Sequence, residues 1–145
     1  MEAAARPDGQ TIGRAVGQLR DRFGERVVTA LSVREQHAHG EGMQDAALPD
    51  VVVFPESNEE VAAILRLAHA ARIPVIPFGT GTSLEGHLQA LYGGISLDLS
   101  RMTKILEVNV EDHTVNLTAP RLVEDRHMTI APLSTLVVTE RRPDY

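Results

Sequence analysis

Residues 77–86 run Pro77-Phe78-Gly79-Thr80-Gly81-Thr82-Ser83-Leu84-Glu85-Gly86, mixing three glycines with three hydroxyl side chains directly after a short apolar stretch. Glycine lets backbone N–H groups point into a tight concavity with no Cβ in the way, and Thr80, Thr82 and Ser83 add hydroxyl donors. Converging donors of this kind make a nest for a phosphate or another anion. Two nucleotide motifs fail on spacing. A P-loop requires G-x-x-x-x-G-K-[ST], and no lysine follows a glycine here. A dinucleotide fingerprint requires G-x-G-x-x-G, whereas Gly79-x-Gly81 is followed three residues on by Leu84. On spacing alone, an anion nest and a plain strand-to-strand connector are equally good readings of the loop.

The other residues that do chemistry are scattered. Cysteine is absent, which removes thiolate nucleophiles, disulfides and Cys-based metal sites. His37 and His39 form a His-Ala-His pair with no third ligand placed to complete a metal set, so a polar loop is expected there and no metal. His69 falls at the edge of a helical apolar face, and His113 and His127 have no spaced partners. Glu59, Glu60, Glu111 and Asp112 fit cap and turn positions better than a general acid–base pair. No catalytic residue is expected. A net charge of -6 without a basic block argues against a nucleic-acid partner. No apolar run approaches the roughly 20 residues that span a bilayer, and the N-terminus has no signal-type apolar region. A soluble chain with no membrane span is expected.

The elements that must position the loop follow from periodicity. Aromatic residues are 3% and tryptophan is absent, so the core must come from Val, Leu, Ile and Ala. Ile12, Val16, Leu19 and Phe23 recur at three- and four-residue steps, which predicts a helix over 11–24 with Gly24 as its stop. Residues 25–30 suit a short strand, and a short helix and connector follow to Asp50. Residues 50–55, Asp-Val-Val-Val-Phe-Pro, form a β-branched run closed by proline, as a buried strand would. Ser57 and Glu60 then have capping-box spacing, and Val61, Ile64, Leu65 and Ala68 share one helical face up to about Arg72. Residues 74–78 make the next strand and deliver the chain into the glycine loop. Beyond it, Ile95, Leu97 and Leu99 alternate with Ser96, Asp98 and Ser100. Residues 104–119 suggest a hairpin about Glu111-Asp112 with Leu106, Val108 and Val110 facing a core. Tyr92-Gly93-Gly94 is expected to be a turn. The run "LSTLVV" near the end has no evident partner.

Three stretches, "REQHA" (34–38), the segment from Pro49 to His87 and "GGISLDLSRMTKILEVNVED" (93–112), resemble the opening part of FAD-linked 2-hydroxy acid dehydrogenases. These are the cytochrome-linked D-lactate dehydrogenases and glycolate oxidases, which share the flavin fold of p-cresol methylhydroxylase and vanillyl-alcohol oxidase. The likeness runs from about Val27 to Asp112, with the "PESNEEV", "IPFGTGTSLEG" and "DLSRM" motifs in the family's order. It implies an α+β fold, the N-terminal part of a PCMH-type FAD-binding domain: a mixed sheet with flanking helices. It also implies that Pro77, Phe78, Gly79, Thr80, Gly81, Thr82, Ser83 and Gly86 bind the cofactor. Pro77 to Gly81 would line the FAD pyrophosphate, and Thr80, Thr82 and Ser83 would donate to phosphate oxygens. Arg34 to His37 would anchor the N-terminal segment against the flavin domain.

Two departures stand out. His87 occupies a position where many relatives carry another glycine, a strained place for a side chain if the backbone there is left-handed. The family pattern also stops soon after Asp112. The expected organisation is therefore an N-terminal helical segment (1–48), a first FAD-binding subdomain (49–118) holding the pyrophosphate loop, and an unassigned tail (119–145). The expected function is the FAD-binding portion of a flavoprotein that oxidises D-lactate or a related 2-hydroxy acid. The chain would be truncated and inactive alone, with the 2-hydroxy acid taken only by a full-length parent. A non-catalytic module that pairs with a separate catalytic subunit is the competing reading. The expected compartment is cytoplasmic, or mitochondrial in a eukaryote.

Overall fold

The computed structural model describes residues 6–38, 40, 47–82, 84, 86–109 and 114–117. They fall in two compact units, Met1–Arg101 and Met102–Tyr145. The first unit opens with helix α1, Gly9–Phe23. Asp8 caps it by accepting from the Thr11 amide (2.8 Å) and the Thr11 hydroxyl (2.7 Å), which starts the helix two residues before the expected Thr11. Gly24 ends it with φ 56°. A turn of 3₁₀ helix, Gly24–Arg26, leads into strand β1, Val27–Val28, and helix α2, Leu31–Gln36. Strand β2, Val51–Val53, is followed by helix α3, Asn58–Ala70, strand β3, Val75–Phe78, and strand β4, Ile95–Asp98.

The four strands form one sheet in the order β1-β2-β4-β3. β1 is antiparallel to β2, while β4 lies parallel to both β2 and β3. The expected mixed sheet with flanking helices is what the chain forms. β4 is the last strand in sequence yet sits in the interior of the sheet, between β2 and β3.

One sheet face carries Val51, Val53, Ile95 and Leu97. With Val27 and the buried faces of α1 (Ala15, Leu19, Phe23) and α3 (Ala63, Ile64, Ala68), they make the apolar core. The expected α1 stripe holds, with Leu19 and Phe23 buried and Ile12 and Val16 packed at its margin. On α3 the phase differs from expectation: Ala63 takes the buried place and Leu65 is 45% exposed. Apolar residues between Val61 and Leu67 fall on several sides of α3, so the packing against the sheet, and not the residue pattern, selects the face.

Ser57 caps α3, accepting from the Glu60 amide at 3.3 Å. The Glu60 carboxylate reaches back to the Glu56 amide (2.7 Å) and also takes a two-pronged contact from Arg26 (2.6 and 2.7 Å). The Arg26 guanidinium holds the Glu60 carboxyl below the usual carboxylate range. A fork of this kind ties the edge of the sheet to the start of α3 with defined geometry. Helix α3 ends in a Schellman turn, with Ile73 N donating to Ala68 O (2.9 Å) and Arg72 N to His69 O (3.1 Å). Arg72 fills the left-handed position at φ 51°, the one non-glycine residue with positive φ among those described.

The described part of the second unit is an antiparallel hairpin of β5, Ile105–Asn109, and β6, Thr114–Leu117. The Glu111-Asp112 turn, the facing of Leu106, Val108 and Val110, and the "LSTLVV" run lie outside the described residues. No described helix is long and apolar enough to cross a membrane.

Candidate functional site

β3 ends at Phe78, and the chain turns through Gly79, Thr80, Gly81 and Thr82 at the carboxyl end of a parallel strand. Open sheets of this type receive ligands at that end. Gly81 has φ 77°, a conformation that an L side chain adopts only under strain. A Cβ on Gly81 would also stand 2.9 Å from Cζ of Phe78. The glycine is required twice over, by its backbone angle and by the ring it covers.

The amides of Gly79, Thr80, Gly81 and Thr82 donate to no described residue. The ladder with β4 ends where Leu99 N donates to Phe78 O (3.0 Å), and none of the next four donors meets an acceptor among the described residues. Thr80 and Thr82 stand together, their hydroxyl oxygens 3.1 Å apart and sharing one hydrogen bond. Phe78, Thr80, Gly81 and Thr82 thus gather at one place. Pro77 is exposed on the sheet edge, and Ser83 lies outside the described residues. Gly86 has φ 73° and its carbonyl accepts from Gln89 N at 3.2 Å, which makes it the pivot of a following turn. His87 carries no positive φ, so the strain anticipated there is absent; the left-handed residue is its neighbour Gly86. Tyr92-Gly93-Gly94 is the expected turn, and at Gly94 (φ 98°) a Cβ would collide with the Pro74 carbonyl.

Beneath the loop lies a group that sequence reasoning missed. The second face of the sheet brings Ile76 and Phe78 of β3 beside Ser96 and Asp98 of β4, in register. Ser96 and Asp98 are both buried. Asp98 Oδ2 is 2.8 Å from His37 Nε2, and Asp98 Oδ1 accepts from the Ser100 amide at 2.7 Å. His37 Nδ1 is 2.8 Å from the Val33 carbonyl. The His37 ring packs on Phe78 with centroids 4.3 Å apart and edge-on to Phe54 at 6.0 Å. Burial alone would depress the His37 pKa, but the hydrogen bonds to Asp98 and Val33 and the charge of Asp98 raise it above 6.5. For Asp98, burial pushes the pKa up, and the bonds from His37 and Ser100 outweigh it and bring it below 3.8.

His37 is therefore no polar loop residue, as the His-Ala-His spacing had suggested. The anchoring role expected for residues 34–37 holds: His37 binds β4, and the Arg34 side chain donates to the Pro49 carbonyl at 2.6 Å. The sequence carried no clear signal for the His37–Asp98 pair, because alternation with Ile95, Leu97 and Leu99 puts Asp98 on the opposite face, which in a strand of this pattern commonly meets water. Ser96 Oγ, next to it, is the one buried side-chain polar atom without a partner among the described residues.

Comparison with known proteins gives this geometry a family. The chain is 43% identical over 107 residues to a probable mitochondrial D-lactate dehydrogenase of Danio rerio, an alignment covering 73% of this chain and 22% of the relative. It is 31% identical to glycolate oxidase subunit GlcD of Bacillus subtilis (strain 168), covering 61% of this chain and 20% of that one. Substrate-bound p-cresol methylhydroxylase superposes with a TM-score of 0.63 at 19% identity, over 73% of this chain and 22% of its own, which establishes the shared fold. The chain spans about a fifth of the length of these relatives. Residues 49–121 match the FAD binding domain family, a stretch that includes β2, α3, β3, the glycine loop and β4 and continues beyond Asp112. Fold, loop and match agree: the chain belongs to the FAD binding domain family, with the p-cresol methylhydroxylase type of fold and FAD as its cofactor.

Proposed function

We propose that this chain supplies the diphosphate-contacting part of the FAD site in a flavoprotein dehydrogenase that oxidises D-lactate or a related 2-hydroxy acid. The row of amides from Gly79 to Thr82, none with an acceptor among the described residues, is the observation that carries the reading. Backbone donors suit a diphosphate because they are neutral, fixed in direction and close together. Gly79 and Gly81 keep the approach open, Thr80 and Thr82 add hydroxyl donors, and the Phe78 ring floors the loop. Pro77, Ser83 and Gly86 complete the proposed contact set, and residues 49–118 make up the proposed first FAD-binding subdomain. Bound FAD accepts the hydride in chemistry of this class; this chain's residues bind and orient it.

The chain alone does not turn over in this proposal. It spans about a fifth of the relatives that carry the activity, and the substrate-contacting groups come from further polypeptide or a partner subunit. The proposed location is the cytoplasm, or the mitochondrion in a eukaryote.

Titration of the purified chain with FAD, followed by quenching of flavin fluorescence, tests the reading. FAD is expected to bind, ADP to displace it, and riboflavin, which lacks the diphosphate, to leave it in place. D-lactate is expected not to bleach the flavin absorbance of the mixture. Failure to bind FAD, or displacement by riboflavin but not by ADP, overturns the assignment of the loop.

A further inference from the structure

We propose that His37, an imidazolium shared between the Val33 carbonyl and the Asp98 carboxylate, positions and neutralises the floor of the diphosphate loop. The inference rests on the FAD reading of the loop and adds a residue that lies outside it, 61 positions before Asp98 in sequence.

The protonation state follows from the partners. The Val33 carbonyl can only accept, so Nδ1 must carry a proton. Asp98 accepts from the Ser100 amide through one oxygen and faces His37 with the other, as an ionised carboxylate does. With Asp98 ionised, Nε2 donates as well, and below its raised pKa the ring bears a full charge. The side chains of His37 and Asp98 are only 6% and 8% exposed, so each depends on the other to be ionised at all. Among the described residues Asp98 is the one charged group bonded to the ring. Helix α2, which ends just before His37, also carries Arg34, which is engaged by Pro49. Arg101 lies over the Phe54 ring at 5.4 Å and is held by Glu56 at 3.2 Å.

Two consequences reach the loop. Asp98 lies directly across the ladder from Phe78, the last strand residue before Gly79, about one strand spacing of 4.8 Å away. A bare carboxylate there would repel a diphosphate, and the imidazolium cancels it. The same ring packs against Phe78 at 4.3 Å, and Phe78 in turn supports Gly81. Loss of the second proton removes a hydrogen bond, uncovers the negative charge and loosens the Phe78 floor together.

NMR of the isotopically labelled full chain, combined with FAD titrations between pH 5 and 9, roughly spanning the usual histidine range, tests this. The Gly79 and Gly81 amide resonances are expected to move with the midpoint of the His37 ring. FAD affinity should fall about tenfold as pH rises through it, the size of one charge-assisted interaction. In His37→Gln both pH responses should vanish, while in His69→Gln, which changes an exposed histidine on α3, both should persist. Glycine amides that stay still while His37 titrates overturn the proposal, as does a pH response of FAD binding that survives in His37→Gln. The wild-type NMR titration decides the matter even if that variant fails to fold. Should glycine amides follow His37 while FAD does not bind at any pH, the positioning role stands and the cofactor assignment falls.

Discussion

The two faces of the four-stranded sheet are built on different chemistry. The face toward α1 and α3 is wholly apolar, a Val, Ile and Leu surface filled by Leu19, Phe23 and Ile64. The other face places Ser96, Asp98 and His37 in the same degree of burial. Both exclude water, but only the second needs hydrogen bonds and paired charges to do so. The face that tolerates this expense lies under the glycine loop, which suggests a division of labour: one face holds the fold, the other sets the charge and shape of the site.

The largest expected effect breaks the polar face. Asp98→Ala leaves a buried imidazolium unpaired and should destabilise the chain by about 3–5 kcal/mol near pH 6, read from urea unfolding. The pH dependence has a defined sign. His37 has a raised pKa, so its contribution is complete below its ordinary 6.5 and is lost as pH rises through the raised value. Asp98 has a lowered pKa, so its contribution is complete above 3.8 and is lost as pH falls through the lowered value. Wild-type stability from this pair should therefore plateau between those two ordinary values and decline on either side. A flat profile through neutral pH would show that the pair does not distinguish this face.

Next in size, Ile64→Ala on the apolar face should cost about 2–5 kcal/mol by creating a cavity, with the same loss at pH 5 and pH 8. A loss that varied with pH would mean that the faces are coupled. Gly81→Ala should cost about 1–2 kcal/mol through its left-handed backbone and the Phe78 contact. FAD binding should fall further than stability does, and equal losses in the two measurements would show that the loop is merely a connector. The smallest effect is expected at Ser96→Ala. Because its hydroxyl has no partner among the described residues, removal should change stability by less than about 0.5 kcal/mol or raise it slightly; a large loss would reveal a bond to the hydroxyl.

These faces were unequally legible in the sequence. The α1 stripe, the β2-α3-β3 unit, the Ser57 cap and the glycine loop were readable because each rests on neighbours within a few residues. The phase of α3 was not, since Val61, Ala63, Ile64, Leu65 and Leu67 offer several apolar faces and only the sheet chooses among them. Alternation along β4 correctly separated Ile95 and Leu97 from Ser96 and Asp98. It could not say that the polar set would also be buried, because its cover comes from residue 37. The loop's composition suggested an anion nest, while finding four successive amides with no acceptor among the described residues required backbone geometry, which no residue pattern encodes.

The interior position of β4 has a consequence for how the chain acquires its shape. β2 and β3 form no ladder with each other, so as the polypeptide grows they share no backbone hydrogen bonds and are linked only through α3. Residues 95–98 must emerge and slot between them before any parallel pairing exists, and loop-closure entropy makes such late, long-range pairing slow. Until then His37 has no acid to meet. The site is thus among the last parts of the first unit to mature, and a nascent chain halted before residue 95 would carry the glycine loop without the strand that fixes it.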